Sequence, residues 1–432
     1  MKKPGKGDKE KMFFIFLLAL GVRLIFCAFV FTHPERAFEN DSAGYIQLAG
    51  ALLDSHSFPS IVRTPVYPFF IASIFSFLGR SLQAVLFLQC LLDSATATLV
   101  SMLFLRIFQD ARYAFIAGLL YAVNPFAVFY SNMVLTETLF TFILAAATYC
   151  FIASFSYGRR RYLTVSSILM GIAILCRPIA LYVPFLLAFW VLLAGHRFRS
   201  RVWSALILVA VSCAVLVPWC AKNYRDYGRW TLSTIGDLNY VISFAPEVLM
   251  LKDDPRSVTT FNVNEKIAHF QGVLRSEAAK KYDRLEHGSS EMRSEAERRV
   301  LLDEAKGVVY ENLPLFLASH FLNIGRVLLP YYPRFGKITG LDSGAISLIS
   351  FAIDFLIMVF FAVGVIISLK ALLEHECDKR ALITLIVLIV YFSFVPGIVG
   401  YARFRIPVLP YISIFSSLGL AGLFKGGAPM KR

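Results

Sequence analysis

Long apolar runs separated by short polar clusters dominate this chain. Met12 to Thr32, Ala381 to Gly400 and Ile406 to Leu423 are each long enough for a helix crossing a hydrocarbon core roughly 30 Å thick. The clusters between such runs are basic: Lys2, Lys3, Lys6, Lys9 and Lys11; Arg159-Arg160-Arg161; His196 to Arg201; Lys370 to Arg380; Lys425 to Arg432. Basic flanks mark cytoplasmic loops. Satisfying all of them predicts about ten crossings, at 12–32, 82–108, 113–131, 136–156, 162–176, 178–194, 202–220, 345–370, 381–399 and 407–424. Two further apolar stretches, 65–79 and 313–330, would put the arginine triplet or the C-terminus on the wrong side if they crossed fully. Both are expected as interfacial or re-entrant helices on the outer face.

The chain then divides into three parts. An N-terminal transmembrane catalytic module covers 1–220, with its first outer loop at 33–81. An extracytoplasmic, mostly helical subdomain covers 221–312, broken near His287-Gly288-Ser289-Ser290. An interfacial helix and the C-terminal transmembrane helices fill 313–432.

Composition agrees. Of 432 residues, 57% are hydrophobic and only 17% charged, too little polar surface for a soluble protein of this length. The fold class is an all-α polytopic membrane protein. A net charge of +14 could suggest nucleic acid, but the bases are split into short clusters between apolar runs, so no nucleic-acid partner is expected. The seven cysteines are odd in number and scattered, mostly within apolar segments (Cys27, Cys90, Cys150, Cys176, Cys213), with neither metal-ligand spacing nor a disulfide framework. The basic stretch Met1 to Lys11 precedes a run too long for a signal-peptide core, so a retained first span is expected.

Ionisable residues at membrane depth need a partner or a function. A lone charge at mid-bilayer costs about 2.5–3.5 kcal/mol on insertion scales. Arg23 and Asp93 fall at matching depths in the first two spans and predict a structural ion pair. Other charges gather at the outer face. Asp41, in the loop after the first span, either caps the helix begun by Ala43-Gly44-Tyr45 or does chemistry. Glu137 stands where a span begins, suited both to a helix N-terminus and to catalysis. Arg63, Arg177, Arg403 and Arg405 lie on the side that disfavours basic residues. Snorkelling to lipid head groups is one account of Arg177, Arg403 and Arg405; guanidinium forks awaiting a phosphate are the other. Lys222 is a weaker case of the same kind. His33, His56 and His320 show no metal-site spacing and read as ordinary interfacial residues.

Several patches together resemble the GT-C membrane glycosyltransferases, in particular the protein O-mannosyltransferase and aminoarabinose-transferase group (glycosyltransferase family 39 and relatives). They are Asp41-Ser42-Ala43-Gly44-Tyr45; Arg63-Thr64-Pro65-Val66-Tyr67-Pro68 with Gly79; Leu135-Thr136-Glu137; and Arg177-Pro178. Pro218-Trp219 with Asn223-Tyr224 and Gly228, and Tyr401 to Pro410, support them. The likeness extends from about residue 12 to 424 and is weakest over the outer subdomain. It implies a GT-C-like bundle that moves a sugar, with inversion, from a polyprenyl-phosphate-linked donor to an acceptor hydroxyl outside the cytoplasmic membrane. The acceptor could be a lipid, a protein or a glycan.

By the same resemblance Asp41 is the general base and Glu137 the second acid. Mannosyltransferases often carry Asp-Glu where this chain has Asp41-Ser42, and relatives often carry Arg-Asn where it has Lys222-Asn223.

The chemistry asks for such parts independently. An acceptor hydroxyl must lose a proton as it attacks, and a lipid phosphate gathers charge as it leaves. Arg63, Arg177, Arg403 and Arg405, with Lys222, are the expected phosphate ligands; Tyr45, Tyr67 and Tyr401 are expected to line the substrate pocket. No cofactor or metal is expected. A transporter or flippase of a lipid-linked sugar, or a polymerase or ligase of lipid-linked surface glycans, would use a similar arrangement of charges.

Overall fold

Apolar runs with local breakers dictate the architecture. The computed structural model describes residues 5–193, 198–254, 263–282, 290–341, 344–373, 379–397 and 402–425. Among these the regular structure is helical throughout. Helix α1 (Lys6–Thr32) leads through a 3-10 turn, Pro34–Ala37, to the short helices α2 (Ser42–Asp54) and α3 (Val66–Leu78). Then come α4 (Leu82–Phe108), α5 (Ala111–Ala122), α6 (Pro125–Ser131), α7 (Glu137–Tyr157), α8 (Arg160–Cys176), α9 (Val183–Leu193) and α10 (Phe198–Tyr227). The polar block supplies α11 (Ile235–Asn239), α12 (Ala245–Asp253), α13 (Val263–Tyr282) and α14 (Ser290–Glu311). The chain finishes with α15 (Leu313–Leu328), α16 (Phe335–Thr339), α17 (Gly344–Leu373), α18 (Lys379–Phe394) and α19 (Leu409–Lys425).

Caps set several boundaries. The Ser81 hydroxyl accepts from the Ala84 N–H to start α4, and the Asp110 carboxylate accepts from the N–H groups of Arg112 and Tyr113 to start α5. The expected single span over 113–131 is interrupted. Asn124 caps a new helix and Pro125 occupies its first position, where a missing N–H costs nothing, so α5 and α6 meet at 53°. Among the described residues, six helices are long and apolar enough to cross a membrane, or seven if this bent pair counts as one. This is a multi-pass membrane protein. The remaining expected crossings correspond to shorter helices: α8 with 17 residues, α9 with 11 and α18 with 16. Helices α3 and α15, expected not to cross fully, have 13 and 16 residues.

Arg23 and Asp93 do meet. The Arg23 Nε donates to Asp93 at 2.6 Å, the Tyr121 hydroxyl donates to the same carboxylate at 2.6 Å, and Arg23 also donates to the carbonyls of Ala19 and Ala122. This buried pair thereby fixes α1, α4 and α5 against one another. Helices α17 and α19 cross at Gly364 and Gly419, where a Cβ would fall 1.8 Å from the Phe415 carbonyl oxygen or 2.0 Å from that of Phe360. Such close approach between helices needs a residue without a side chain. The polar block has a small core of its own, formed by Ala245, Val248, Leu274, Ala305 and Val309.

Candidate active site

Two hydrogen bonds bring the loop between α1 and α2 to the start of α7. The Val134 N–H donates to the Ala37 carbonyl at 2.9 Å, and the Ser42 hydroxyl donates to the Val134 carbonyl at 2.9 Å. Asp41 and Glu137, far apart in the chain, therefore sit beside one another. From another direction the Thr64 hydroxyl donates to the Cys176 carbonyl at 3.2 Å, which sets Arg63 near Arg177. Arg177 ends α8 in extended backbone, as a residue before proline tends to. Arg403 arrives on the 3-10 turn Ala402–Val408 ahead of α19.

The side chains interlock. Arg63 donates to Asp41 Oδ1 at 2.7 Å, and Arg403 donates to Asp41 Oδ2 at 3.3 Å. The Nε of Arg403 also donates to Glu137 Oε1, which Arg177 pairs with at 2.5 Å. Arg177 further donates to the Thr136 hydroxyl at 3.2 Å. Glu137 is fully buried, whereas the side chains of Asp41, Arg63 and Arg403 are 30%, 29% and 25% exposed, so the cluster opens on the Asp41 side. Three guanidiniums against two carboxylates leave one net positive charge. Burial pushes the Asp41 carboxyl up, but Arg63, aided by Arg403, outweighs it and holds the group below its ordinary 3.8.

The capping account of Asp41 is not what forms: it stands at the N-cap of α2 but makes no side-chain cap bond, and both carboxylate oxygens go to arginines. Glu137 does open a helix, but lies beneath Arg177 and Arg403 with no exposed surface to offer an acceptor. Tyr45 remains at the site. Its hydroxyl accepts from Arg63 at 3.2 Å, and its ring lies 5.1 Å from that guanidinium. Burial raises its phenol pKa, keeping it a neutral donor.

Two expectations need correction. Arg405 is not at the cluster: it is fully buried, donates twice to Asp354 at 2.8 and 2.9 Å, and stacks over Phe126. A guanidinium committed to a buried carboxylate has no fork left for a lipid phosphate. Tyr67 is also fully buried, behind Tyr45, and gives its hydroxyl to Gln89 at 2.7 Å, so it does not line an open pocket. Tyr401 lies outside the described residues.

Lys222 is placed apart from the carboxylates of the cluster. Its ammonium donates to the Phe58 carbonyl at 2.8 Å, pairs with Asp226 at 3.3 Å, and lies over the rings of Phe58, Trp219 and Tyr227. It lines an open pocket of about 640 Å³ whose apolar wall includes Pro65, Phe69, Leu175 and Pro218. Pro65 is two residues beyond Arg63, and Leu175 two before Arg177, so the pocket adjoins the charged cluster. Ser42, Thr64 and Thr136, which the sequence reading gave no role of their own, supply the hydrogen bonds that assemble it.

This architecture has counterparts among solved structures. The archaeal oligosaccharyltransferase AglB from Archaeoglobus fulgidus, in complex with an inhibitory peptide and a dolichol-phosphate, matches with a TM-score of 0.57 at 16% identity, over 98% of this chain and 51% of that one. The Archaeoglobus fulgidus oligosaccharyltransferase tethered with an acceptor peptide containing the NVT sequon gives 0.59 at 15% identity, over 97% and 50%. A looser likeness, with a TM-score of 0.43 at 13% identity over 92% and 77%, links the chain to ArnT from Cupriavidus metallidurans bound to undecaprenyl phosphate. The fold is therefore that of the GT-C membrane glycosyltransferases, although the chain spans about half the length of the oligosaccharyltransferases it matches. Residues 62–220, which carry Arg63, Glu137, Arg177 and α10 as far as Cys220, match the family model described as dolichyl-phosphate-mannose-protein mannosyltransferase. No curated protein matches the chain.

Proposed function

We propose that this protein transfers a sugar from a polyprenyl-phosphate-linked donor to an acceptor hydroxyl at the extracytoplasmic face of the cell membrane, with inversion, and that Asp41 is the general base. The observation that carries the reading is an ionised carboxylate at the mouth of an arginine cluster with one net positive charge. An inverting displacement needs both parts: a base beside the attacking hydroxyl, and fixed positive charge where the phosphate departs. Arg63 and Arg403 already bridge the two sides, since each can swing one N–H from Asp41 to a phosphate oxygen while keeping another partner. Glu137 acts through Arg177 and Arg403, holding both in place. The adjoining pocket, apolar at Phe69 and Leu175 and cationic at Lys222, suits the donor's prenyl chain and head group. Dolichol-phosphate in the AglB structure supports a lipid phosphate as the ligand class.

The test is reconstitution in liposomes with a polyprenyl-phosphate sugar and candidate lipid, peptide and glycan acceptors. Sugar found covalently on an acceptor supports the proposal. Donor that crosses leaflets unchanged would establish a transporter instead.

The pH dependence follows from the arginine pairing. A base acts when ionised, and Asp41 titrates below its ordinary value. Its contribution to kcat/KM should be constant from about pH 5 to 8 and be lost only at lower pH. Arg63→Ala removes the main stabilising cation, so the acid limb should shift upward; a profile left in place would contradict the pairing.

A further inference from the structure

After α15, residues 329–341 run as a strap over the first outer loop. One end is fixed in the bundle: the Leu329 carbonyl accepts from Arg405 at 3.1 Å, and the Tyr331 N–H donates to Asp354 at 3.0 Å. Farther along, α16 buries Phe335 against Phe26 and Phe129, with ring centroids 4.6 and 5.7 Å away. From α16 the Lys337 ammonium donates to the Phe38 carbonyl and, at 2.7 Å, to the Glu39 carboxylate. Arg36 returns the contact, donating to the Thr339 carbonyl at 3.2 Å. Gly340, at φ +71°, lies directly against that guanidinium, where a side chain would be both strained and in collision.

We infer that Lys337 is a positioning residue for the transfer reaction, fixing Asp41 through Phe38 and Glu39. The inference rests on Asp41 being the base. Glu39 and Ser42 close a tight turn around Asp41: the Glu39 N–H donates to the Ser42 hydroxyl and its carbonyl accepts from the Ser42 N–H, both at 2.9 Å. A displacement of Glu39 is therefore passed to Asp41. The carboxylate's own partners, Arg63 and Arg403, are cations that an incoming phosphate competes for. Lys337 holds the loop from outside that competition. Its pair with Glu39 is partly exposed, at 33% and 38%, so it contributes little to folding and a variant at 337 should remain folded.

The test uses Lys337→Met and Lys337→Arg in the full-length protein in lipid nanodiscs. Hydrogen exchange of residues 33–45 and steady-state sugar transfer are measured together. Methionine should speed exchange in that segment and lower kcat by about 10- to 100-fold, since a misplacement of about 1 Å can cost that much, while donor KM stays within about twofold. Arginine should restore both. Unchanged exchange, a kcat loss that arginine does not rescue, or an effect confined to donor KM would overturn the inference. A wild-type protein that transfers nothing, while methionine still loosens 33–45, would sink the transferase reading instead.

Discussion

Asp41→Asn is expected to reduce sugar transfer by about 10²–10⁴-fold, the usual contribution of a general base, with donor binding largely preserved. Asparagine keeps the shape, and its one amide oxygen can still accept from Arg63 or Arg403, while its NH2 faces the other arginine as a donor; it cannot take a proton. The variant also leaves three guanidiniums facing one carboxylate, so donor affinity should hold or rise. Transfer assays with a radiolabelled donor, paired with donor-binding measurements, separate the two effects. Turnover near the wild-type rate would end the assignment of Asp41 as base.

Arg405→Ala is expected to destabilise the protein by about 3–5 kcal/mol, as removal of one partner from a buried ion pair generally does. It leaves the Asp354 carboxylate fully buried with only the Tyr331 N–H, and it releases the Leu329 carbonyl. Thermal unfolding in detergent measures the loss. Arg405→Met combined with Asp354→Leu should recover much of it, because no buried charge is then left uncompensated. A single variant as stable as wild type but weak in donor binding would return Arg405 to the phosphate site.

The two arginines of the Arg403-Phe404-Arg405 segment show where sequence reading reaches its limit. Charges at the edge of an apolar run are costly, so Asp41, Arg63, Glu137, Arg177 and Arg403 stood out without any structure, and all five meet. Arg405 carries the same signature. Its partner Asp354 lies inside a long apolar run, and their meeting depends on α17 packing against α19, which no local pattern encodes. Tyr67 went astray for a similar reason, since its burial depends on a hydrogen bond to Gln89 on the next helix. The Arg23–Asp93 pair was legible because equal depth in two consecutive spans is itself a sequence property.

The break at Asn124-Pro125 had a local signal, a capping residue followed by proline, hidden inside a run apolar enough to read as one span. Lys337 had a signal too: a base on the expected outer face, where bases are disfavoured, the same argument that singled out Arg177. It was overlooked because the chain from 329 to 341 has no hydrophobic period to frame it.

The single surplus positive charge has a consequence for turnover. A donor phosphodiester carries one negative charge, but the monoester left after transfer carries about 1.5 to 2 at neutral pH. Under the proposed reaction the spent carrier would therefore grip the arginines harder than the fresh one. Clearing the exhausted lipid, not cleaving the glycosidic bond, would then set the pace of the cycle.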